Sequence, residues 1–313
     1  MVGSANVDTT LRVPRAPQAG ETVTGASITR HPGGKGANQA WAATRLATAP
    51  ICLIARLGAD EPGRWLRQRL TEAGLDDATI SEDPALPTGA AFITVEASGE
   101  NRIVVVPGAN EGLTPGALGA HHAALTSAGV LLLQLEIPLP TVTTAARMGR
   151  EKGATVILDP APARAVPASL LALCDFVTPN ENELNQLLGT KPGTVLTLAE
   201  VRAGAEALHA RGARNVIVKL GARGALWVGA TGRGHWPAFA AKAVDTTAAG
   251  DAFNAALAVA LSEGQDLPAA GRFACAAGAL ATTKPGAASS LPARADLEAF
   301  LAISTAPAEP QDT

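Results

Sequence analysis

The segment from Ala243 to Leu257 places a carboxylate where it could remove a proton beside a bound anion. Asp251 follows Ala248, Ala249 and Gly250 and precedes a run with the composition of an apolar helix. Backbone N–H groups at a helix N-terminus lack intrahelical partners, and the helix dipole favours negative charge there. A phosphoryl group in transfer could bind these amides while Asp251 accepts the proton of an attacking hydroxyl. The same pattern is equally typical of an aspartate that only caps a helix.

A glycine-rich loop near the N-terminus could bring a polar ligand close to the backbone. In HPGGKGANQA, Gly33, Gly34 and Gly36 surround Lys35, and Asn38 follows at the mouth of a predicted helix. Glycine permits close approach, while the lysine and the asparagine supply a cation and an amide. The segment is not a Walker phosphate loop, because Gly and Ala follow the Gly-Lys pair where Ser or Thr is required. Alone, such a loop is more typical of a plain turn.

Further acids stand where a parallel sheet binds ligands. Glu136 ends the apolar run VLLLQLE, and a charge at the carboxyl end of a strand needs a polar partner. In TPNENE, Asn180 and Glu183 lie three residues apart, on one face of a helix that Pro179 allows to begin there. This pair is also typical of an N-cap and its capping-box acid, and both roles can coexist.

Strand-like and helix-like segments alternate along the chain. Short β-rich runs such as ICLIARLG, ATVILDPAP and NVIVKLGARG are separated by Ala-rich stretches with helical spacing. This alternation predicts one α/β domain over residues 1–313, with a mostly parallel central sheet flanked by helices on both faces. Residues 9–30 and 88–107 instead alternate apolar and polar residues around glycine turns. They predict hairpins that form a small β-lid over a cleft or pack against another subunit. The polar tail, 304–313, is expected to be disordered.

Composition argues against several classes of partner. The 313 residues are 47% hydrophobic but only 3% aromatic, and the formal net charge is −3. The chain therefore has neither the basic field nor the stacking aromatics that nucleic acid requires. Its three cysteines are far apart, which argues against a disulfide framework and favours a reducing cytoplasm. No apolar run reaches the ~20 residues of a membrane span, so we expect no membrane partner.

Taken together, these motifs resemble the ribokinase family of carbohydrate kinases. DTTAAGDAFNAAL is similar to the carboxy-terminal signature of that family, and GGKGANQA is similar to its amino-terminal signature. VGSANVD, GENRIVVVPGAN, LLLQLEIP, LDPAPAR, TPNENE and LGARGAL also resemble family segments, in the same order. The likeness extends from Val2 to about Phe300.

The resemblance implies a ribokinase-like fold and an ATP-dependent kinase that phosphorylates the 5-hydroxyl of D-ribose. It implies that Asp251 is the catalytic base and that Ala248, Ala249 and Gly250 form an anion hole. The residues that it assigns to the sugar are Asn6, Asp8, Gly34, Lys35, Asn38, Glu136 and Asp251. Those that it assigns to ATP are Asn180, Glu183, Lys219, Gly221 and Gly224. Glu183 would hold Mg²⁺ through water, and Lys219 stands where the family pattern predicts threonine.

The resemblance also implies a monovalent cation beside the anion hole, with potassium as the expected occupant. The matching positions are Asp245, Thr247, Ala281, Gly286 and Ser290. Asp245 could instead only hydrogen-bond its own loop, and Pro285 is an unusual neighbour for such a site. By the same likeness we expect a homodimer that pairs through the lids. Because Met1 directly precedes the first core strand, the natural start is expected upstream of it.

Three alternatives stay open on the sequence. The first is a kinase of deoxyribose, another pentose or hexose, or a nucleoside. The second is an NAD-dependent oxidoreductase, since strand-helix alternation is common to both folds. VGSANVD has a single glycine, however, where a dinucleotide-binding strand would need Gly-x-Gly-x-x-Gly. The third is a sugar-sensing protein without turnover, which the intact turn at Gly250 and Asp251 disfavours.

Overall fold

Twelve strands and ten α-helices are formed by the described residues, 1–191 and 193–304, of the structure, which is a computed structural model. The strands are β1 (Asn6–Val13), β2 (Ser27–Gly33), β3 (Ala55–Gly58), β4 (Ile80–Asp83), β5 (Gly89–Glu96), β6 (Asn101–Val106), β7 (Val130–Leu133), β8 (Thr155–Leu158), β9 (Phe176–Val177), β10 (Asn215–Lys219), β11 (Ala225–Gly229) and β12 (Gly232–Trp236). The helices are α1 (Lys35–Leu46), α2 (Glu61–Glu72), α3 (His122–Thr126), α4 (Leu139–Glu151), α5 (Ala168–Leu171), α6 (Glu181–Leu187), α7 (Leu198–Ala210), α8 (Ala249–Ser262), α9 (Leu267–Ala281) and α10 (Arg294–Ile303).

The central sheet is mostly parallel, as the alternation of strands and helices predicts. Its strands lie in the order β12-β11-β10-β9-β8-β7, and those from β7 to β10 run parallel. Strands β11 and β12 extend the sheet in antiparallel fashion. Strands β3 and β4 form a separate parallel pair, and Val2 bridges to both Ile54 and Leu133. This single residue connects the pair to the edge of the larger sheet.

Helices cover both faces of the sheet because successive strand residues point in opposite directions. Val156 and Leu158 of β8 pack in one apolar cluster with residues of α4 and α7. Ile157, between them, packs in a second cluster with residues of α1, α8 and α9. The second cluster contains many alanines, and such small side chains let helices lie close to the sheet and to one another. The predicted fold class is confirmed.

A separate four-stranded sheet contains the two predicted hairpin segments. Strands β1 and β2 form one antiparallel hairpin, and β5 and β6 form the other. A parallel pairing of β1 with β5 joins them in the order β2-β1-β5-β6. We call this sheet the lid. Much of its surface is apolar and exposed, including Phe92, Ile103 and Val104.

Two further predictions from the sequence concern the C-terminal tail and membrane-spanning helices. Of the predicted disordered tail, Ser304 follows α10 without regular structure, and residues 305–313 lie outside the described residues. Among the helices that the structure describes, none is long and apolar enough to cross a membrane.

Candidate active site

Four neighbouring parallel strands each deliver a polar side chain at the carboxyl edge of the central sheet. Glu136 follows β7, and Asp159 directly follows β8. Asn180 follows β9 and bridges to Lys219, the last residue of β10. Ligands bind at this edge in open α/β sheets, because the strands end there together and loops leave a crevice. The sheet therefore brings two acids, an amide and a cation to one place.

Asp251 lies buried in the first turn of α8, with 6% of its surface exposed. The amide Nδ2 of Asn38 donates to its Oδ2 at 3.2 Å, and Nε2 of Gln39 donates to its Oδ1 at 3.0 Å. Burial raises the pKa of Asp251, while the positive charge of Lys35 opposes that rise. The carboxylate is thus held in a fixed position and has a higher affinity for a proton than an exposed aspartate, as a general base requires.

The turn before Asp251 adopts a conformation that is uncommon for alanine. Ala248, the N-cap of α8, has φ 59° and ψ 7°, in the left-handed region, and supplies no side-chain cap. The N–H of Ala249 donates to the carbonyl oxygen of Thr246 at 3.3 Å. The expectation that this amide lies unpaired is therefore wrong, because the left-handed turn folds it back. The next two amides, of Gly250 and Asp251, lie in the first helical turn, where no intrahelical acceptor exists.

The glycine loop fits tightly against the first strand. Gly34, the N-cap of α1, has φ 85°, and a Cβ there would lie 2.9 Å from the backbone nitrogen of Asn6. The backbone N–H of Lys35 donates to Oε2 of Glu136 at 2.9 Å, and the hydroxyl of Ser4 donates to the same oxygen at 2.5 Å. Glu136 thus finds polar partners, as predicted, and fixes the start of α1.

Asp8 on β1 is an acid whose side chain is not fully hydrogen-bonded. Within the described chain, its buried Oδ1 has no hydrogen-bond partner. Burial, together with the charges of Glu136 and Asp251, raises the pKa of Asp8 to about 7. A Cβ at Gly33 would lie 2.1 Å from the carboxyl carbon of Asp8, so only glycine leaves room for it. A buried acceptor without a donor is the expected state of a group that binds a ligand hydroxyl.

Asn6 has a partner that the sequence did not reveal. Nδ2 of Asn110 donates to Oδ1 of Asn6 at 2.7 Å, and Oδ1 of Asn110 accepts from the N–H of Ala5 at 2.9 Å. A Cβ at Gly89 would lie 2.2 Å from Nδ2 of Asn110. Asn110 is the last residue of the GENRIVVVPGAN segment, so the signal was present in the motif but was not assigned to a residue.

The ammonium group of Lys35 lies among acids. Burial opposes its charge, but the carboxylates of Asp251, Asp159, Glu136 and Glu183 outweigh burial and raise its pKa. Lys35 therefore keeps its proton at all physiological pH values. A permanent cation next to the buried carboxylate of Asp251 can bind an anion or another oxygen ligand there.

Asn180 and Glu183 form the capping box that the sequence allowed. Glu183 N–H donates to Oδ1 of Asn180 at 2.8 Å, and the N–H of Asn180 donates to Oε2 of Glu183 at 2.7 Å. Burial raises the pKa of Glu183, and Lys219 nearby opposes the rise. Within the described residues, no group of three or more His, Cys, Asp or Glu could hold a metal ion. A metal here would depend on its other ligands, such as phosphate oxygens and water.

Two cavities meet at the turn before α8. The smaller, about 300 Å³, is lined by Lys35, Asp159, Asn180, Glu183, Lys219, Gly221, Thr246, Ala248, Gly250 and Asp251. The larger, about 480 Å³, has a mainly apolar wall that includes Phe239, Phe253 and Ala279. Both cavities share Lys219, Gly221, Thr246 and Gly250. A charged chamber thus opens beside an apolar one that could hold a flat ring.

Gly224 lets two backbone segments pack closely at the wall of the larger cavity. It has φ 84°, and a Cβ there would lie 1.9 Å from the carbonyl oxygen of Trp236. Gly221 has φ 57° and faces open space. Both glycines line this cavity, together with Lys219.

Asp245 ties together two loops next to the turn. Its Oδ1 accepts hydrogen bonds from the N–H of Thr247 at 2.9 Å and from its hydroxyl at 2.6 Å. Its Oδ2 accepts from the N–H of Gly286 at 2.8 Å. Burial opposes ionisation, but these bonds lower the pKa of Asp245. Ala281 ends α9 nearby in sequence, and the hydroxyl of the buried Ser290 donates to the carbonyl oxygen of Ala287 at 2.8 Å.

Apart from the predicted cation residues around Asp245, the structure brings the predicted site residues together in two groups. Those that line a cavity are Lys35, Asn180, Glu183, Lys219, Gly221, Gly224, Ala248, Ala249, Gly250 and Asp251. The predicted sugar residues outside the cavity walls, around the start of α1, are Asn6, Asp8, Gly34, Asn38 and Glu136. Sequence reasoning missed Gln39 and Asp159, although GGKGANQA and LDPAPAR contain them. Both are buried, and Gln39 donates hydrogen bonds to Asp159 and Asp251, which line the charged chamber.

Known carbohydrate kinases are similar to this chain over nearly its whole length. A family model described as pfkB family carbohydrate kinase matches residues 1–294. The chain is 38% identical over 302 residues to a ribokinase of Haemophilus influenzae, covering 96% of this chain and 97% of that protein. It is 34% identical over 304 residues to a deoxyribokinase of Salmonella typhi, covering 97% and 98%.

A solved structure has the same fold over nearly the whole chain. The ribokinase of Arabidopsis thaliana, complexed with ribose and ATP, superimposes with a TM-score of 0.88 at 33% identity, covering 96% of this chain and 97% of the other. The family model matches almost the whole chain, and the relatives match it end to end. These matches exclude the oxidoreductase alternative. The chain belongs to the pfkB family of carbohydrate kinases.

Proposed function

We propose that this kinase transfers the γ-phosphoryl group of ATP to the 5-hydroxyl of D-ribose. The observation that carries the proposal is the buried carboxylate of Asp251 at a turn with open amides, where a charged chamber meets an apolar cavity. The end-to-end similarity to a ribokinase and to a ribokinase complexed with ribose and ATP supports ribose as the sugar.

Different groups near this turn would remove the proton and stabilise the phosphoryl group. Asp251 accepts the proton of the sugar hydroxyl as the oxygen attacks the γ-phosphorus, and ADP leaves with the bonding electrons. The amides of Gly250 and Asp251 and the ammonium of Lys219 stabilise the charge on the phosphoryl oxygens. Ala249 contributes less than its neighbours, because its N–H already donates to Thr246.

The sugar would lie between Asp251 and the start of α1. Asp8 offers an unpartnered carboxylate oxygen, and Asn6, Asn38, Lys35 and Glu136 offer amides and charges around it. The backbone of Gly34 permits close approach. A sugar that lacked one hydroxyl would leave one of these groups unpaired and would bind more weakly.

The nucleotide would lie with its base in the apolar cavity and its phosphates toward Lys219. Gly221 leaves open space along the wall of that cavity, and Gly224 lets the wall pack closely against the backbone of Trp236. Asn180 and Glu183, although joined in a capping box, also line the charged chamber, so Glu183 can hold Mg²⁺ through water. The ion would neutralise the phosphates of ATP.

We include a monovalent cation, potassium, in the proposal. Asp245 holds the loop of Thr247 against the loop of Gly286 by accepting a backbone N–H from each, and its carboxylate would be one ligand of the cation. The remaining ligands would come from Ala281 and Ser290. Oxygen ligands suit a hard cation, which would steady the turn before α8. The loop-fixing role of Asp245 coexists with this one.

We propose a homodimer that forms through the lid. Strands β5 and β6 expose apolar side chains on both faces of the lid: Phe92, Val104 and Val106 on one face and Ile103 and Val105 on the other, each 41% to 63% exposed. Exposed apolar side chains grouped in this way mark an interaction surface. Val104→Lys should shift the species in light scattering from dimer to monomer. Val195→Lys, at an apolar residue outside the lid that is 82% exposed, is the matched control and should leave the mass unchanged.

The test of the activity is a product analysis. The purified protein is incubated with ATP, Mg²⁺, K⁺ and one sugar at a time: ribose, 2-deoxyribose, fructose or a nucleoside. We expect ADP formation to be fastest with ribose, and phosphorus NMR of the product to show a phosphate ester coupled to the protons on carbon 5. A product phosphorylated at carbon 1, or no turnover of any sugar, would contradict the proposal.

Deoxyribose is the second candidate, because a deoxyribokinase is 34% identical across the chain. The two sugars differ by the 2-hydroxyl alone, and a site built to hydrogen-bond a hydroxyl rejects a substrate without it strongly. A kcat/KM for ribose above that for 2-deoxyribose supports the first candidate. The reverse order supports the second.

A further inference from the structure

A buried hydrogen-bond chain crosses the site from the nucleotide side to the base. Nζ of Lys219 donates to Oδ1 of Asp159 at 2.9 Å, and Nε2 of Gln39 donates to Oδ2 of Asp159 at 2.8 Å. The same Nε2 donates to Oδ1 of Asp251 at 3.0 Å. Both hydrogens of the Gln39 amide are therefore used, one on each carboxylate.

Burial makes this chain rigid and costly to break. Gln39 and Gln134 have no exposed surface, and Asp159 is 1% exposed. Nε2 of Gln134 donates to Oε1 of Gln39, which fixes the orientation of the Gln39 amide. The opposite orientation would set an oxygen against two carboxylates. Gln39 is thus the one neutral group between two buried acids, and it can hold them only by donating to both.

Lys219 at the other end lies beside the turn where phosphate would bind. A Cβ built at Gly250 would be 3.6 Å from Nζ of Lys219, so the ammonium lies directly next to that backbone. Lys219 lines both cavities, and its side chain is 12% exposed. Asp159, whose side chain is 2% exposed, fixes the ammonium there.

We infer that Asp159 and Gln39 are positioning residues that couple the phosphate-side cation Lys219 to the base Asp251. Each acts through another residue: Asp159 sets the ammonium, Gln39 sets the carboxylate, and the bond between them keeps the two at a fixed separation. Transfer needs the base and the phosphate-binding cation in place at the same moment, and a misplacement of about 1 Å can cost about 100-fold in rate. The inference rests on the proposed role of Asp251.

The coupling also predicts a signature in the pH profile. The charged groups that face Asp251 are Lys35 on α1, Asp159 after β8 and Asp8 on β1. Of these, the charge of Asp159 raises the pKa of Asp251 and that of Lys35 lowers it. Removal of the negative charge of Asp159 should therefore move the acid limb of kcat, measured at saturating ribose so that protonation of Asp8 does not contribute, to lower pH. A purely structural role would leave the position of that limb unchanged.

The test compares three single variants. Asp159→Asn keeps the shape of the side chain but loses the ion pair, and Gln39→Met keeps the volume but loses both donors. Thr141→Val is the matched control: Thr141 is fully buried in α4, and its hydroxyl donates to the carbonyl oxygen of Leu113 at 2.6 Å. It shows what loss of a buried hydrogen bond outside the site does.

We expect both site variants to lower kcat by about 10- to 100-fold, with KM for ribose changed less than about threefold. Asp159→Asn should in addition shift the acid limb downward. Thr141→Val should lower the melting temperature and leave kcat and the limb unchanged. In an Asp251→Asn background, Gln39→Met should lower kcat by less than about twofold, because the carboxylate that Gln39 positions is already gone.

The coupling would be overturned if both site variants had the wild-type kcat and the acid limb of their pH profiles lay at the wild-type pH. If Gln39→Met fails to fold, the isosteric Asp159→Asn variant still decides the question. Failure of the proposed function would be seen separately, because the wild-type protein would then phosphorylate no sugar. That result would overturn the coupling as well.

Discussion

Two aspartates of the site, Asp251 and Asp8, have raised pKa values but opposite hydrogen-bonding states. Both oxygens of Asp251 accept amide hydrogens, from Asn38 and Gln39. Asp8 has a buried oxygen without a partner in the described chain. The protein thus fixes Asp251 before any substrate arrives and leaves Asp8 incomplete until one does. Under the proposed function, this difference distinguishes Asp251, the proposed base, from Asp8, the proposed sugar-binding acid.

The glycines next to the two aspartates also differ in their surroundings. Gly33 is packed against Asp8 so closely that a Cβ would overlap its carboxyl group. At Gly250, beside Asp251, a Cβ would meet only the end of the Lys219 side chain at an ordinary 3.6 Å. The first glycine makes room for a side chain of the protein. The second leaves open space in which a phosphoryl group can approach.

Replacement of the reacting acid should have the largest effect. Asp251→Asn keeps the shape and loses the base, so we expect kcat to fall by about 10³- to 10⁴-fold. Ribose affinity, measured by calorimetry, should change by less than about threefold, since recognition lies with Asp8. Turnover near the wild-type rate would remove Asp251 from the role of base.

Replacement of the recognising acid should give the opposite pattern. Asp8→Asn loses charge-assisted hydrogen bonds worth about 1.5 to 3 kcal/mol, so KM for ribose should rise by about 10- to 100-fold. The value of kcat at saturating ribose should fall by less than about fivefold. Steady-state kinetics with both substrates varied measures the two parameters. A fall in kcat with unchanged KM would mean that Asp8 acts in the chemical step.

The pH dependence of ribose binding should report Asp8. With a pKa of about 7, its carboxyl group is mostly ionised at pH 8 and mostly protonated at pH 6. If the carboxylate accepts the sugar hydroxyls, KM for ribose should rise about tenfold from pH 8 to pH 6. In Asp8→Asn that rise should disappear. A wild-type KM that is constant over this range would contradict the assignment of the open acceptor to the sugar.

Stability without ligand should show the smallest effect. The folded-state pKa of Asp8 lies above its unfolded value, so ionisation of Asp8 destabilises the fold; this cost grows as pH rises and is complete above about pH 7. Asp8→Asn should therefore raise the melting temperature at pH 8, by about 2 to 4 °C for each kcal/mol recovered. At pH 4 the two proteins should melt together. Scanning calorimetry at both pH values provides the comparison.

Much of the fold, and the position of Asp251 in the first turn of a helix, could be predicted from the sequence. Apolar runs alternating with helical spacing specify the parallel sheet, since only burial on both faces explains strands such as VLLL and TVIL. The hairpin segments were visible as alternating patterns. These features are local, so sequence spacing records them directly.

The parts that the sequence did not reveal depend on contacts between distant segments. Gln39 and Asp251 are 212 positions apart, and Gln39 and Asp159 are 120 apart. A glutamine in an Ala-rich helix and an aspartate before a proline are each typical of ordinary structure. Only the folded sheet edge places them together. The partner of Ala249 was missed for a related reason, because the left-handed conformation of Ala248 is not specified by its residue type.

The most direct test of the central claim is a crystal structure with ribose and a non-hydrolysable ATP analogue bound. We predict the 5-hydroxyl within about 2.6 to 3.2 Å of the Asp251 carboxylate, with the γ-phosphate at the amides of Gly250 and Asp251 and a sugar hydroxyl on the open oxygen of Asp8. A ribose whose 5-hydroxyl faces away from Asp251, or a γ-phosphate bound far from the turn before α8, would contradict the account.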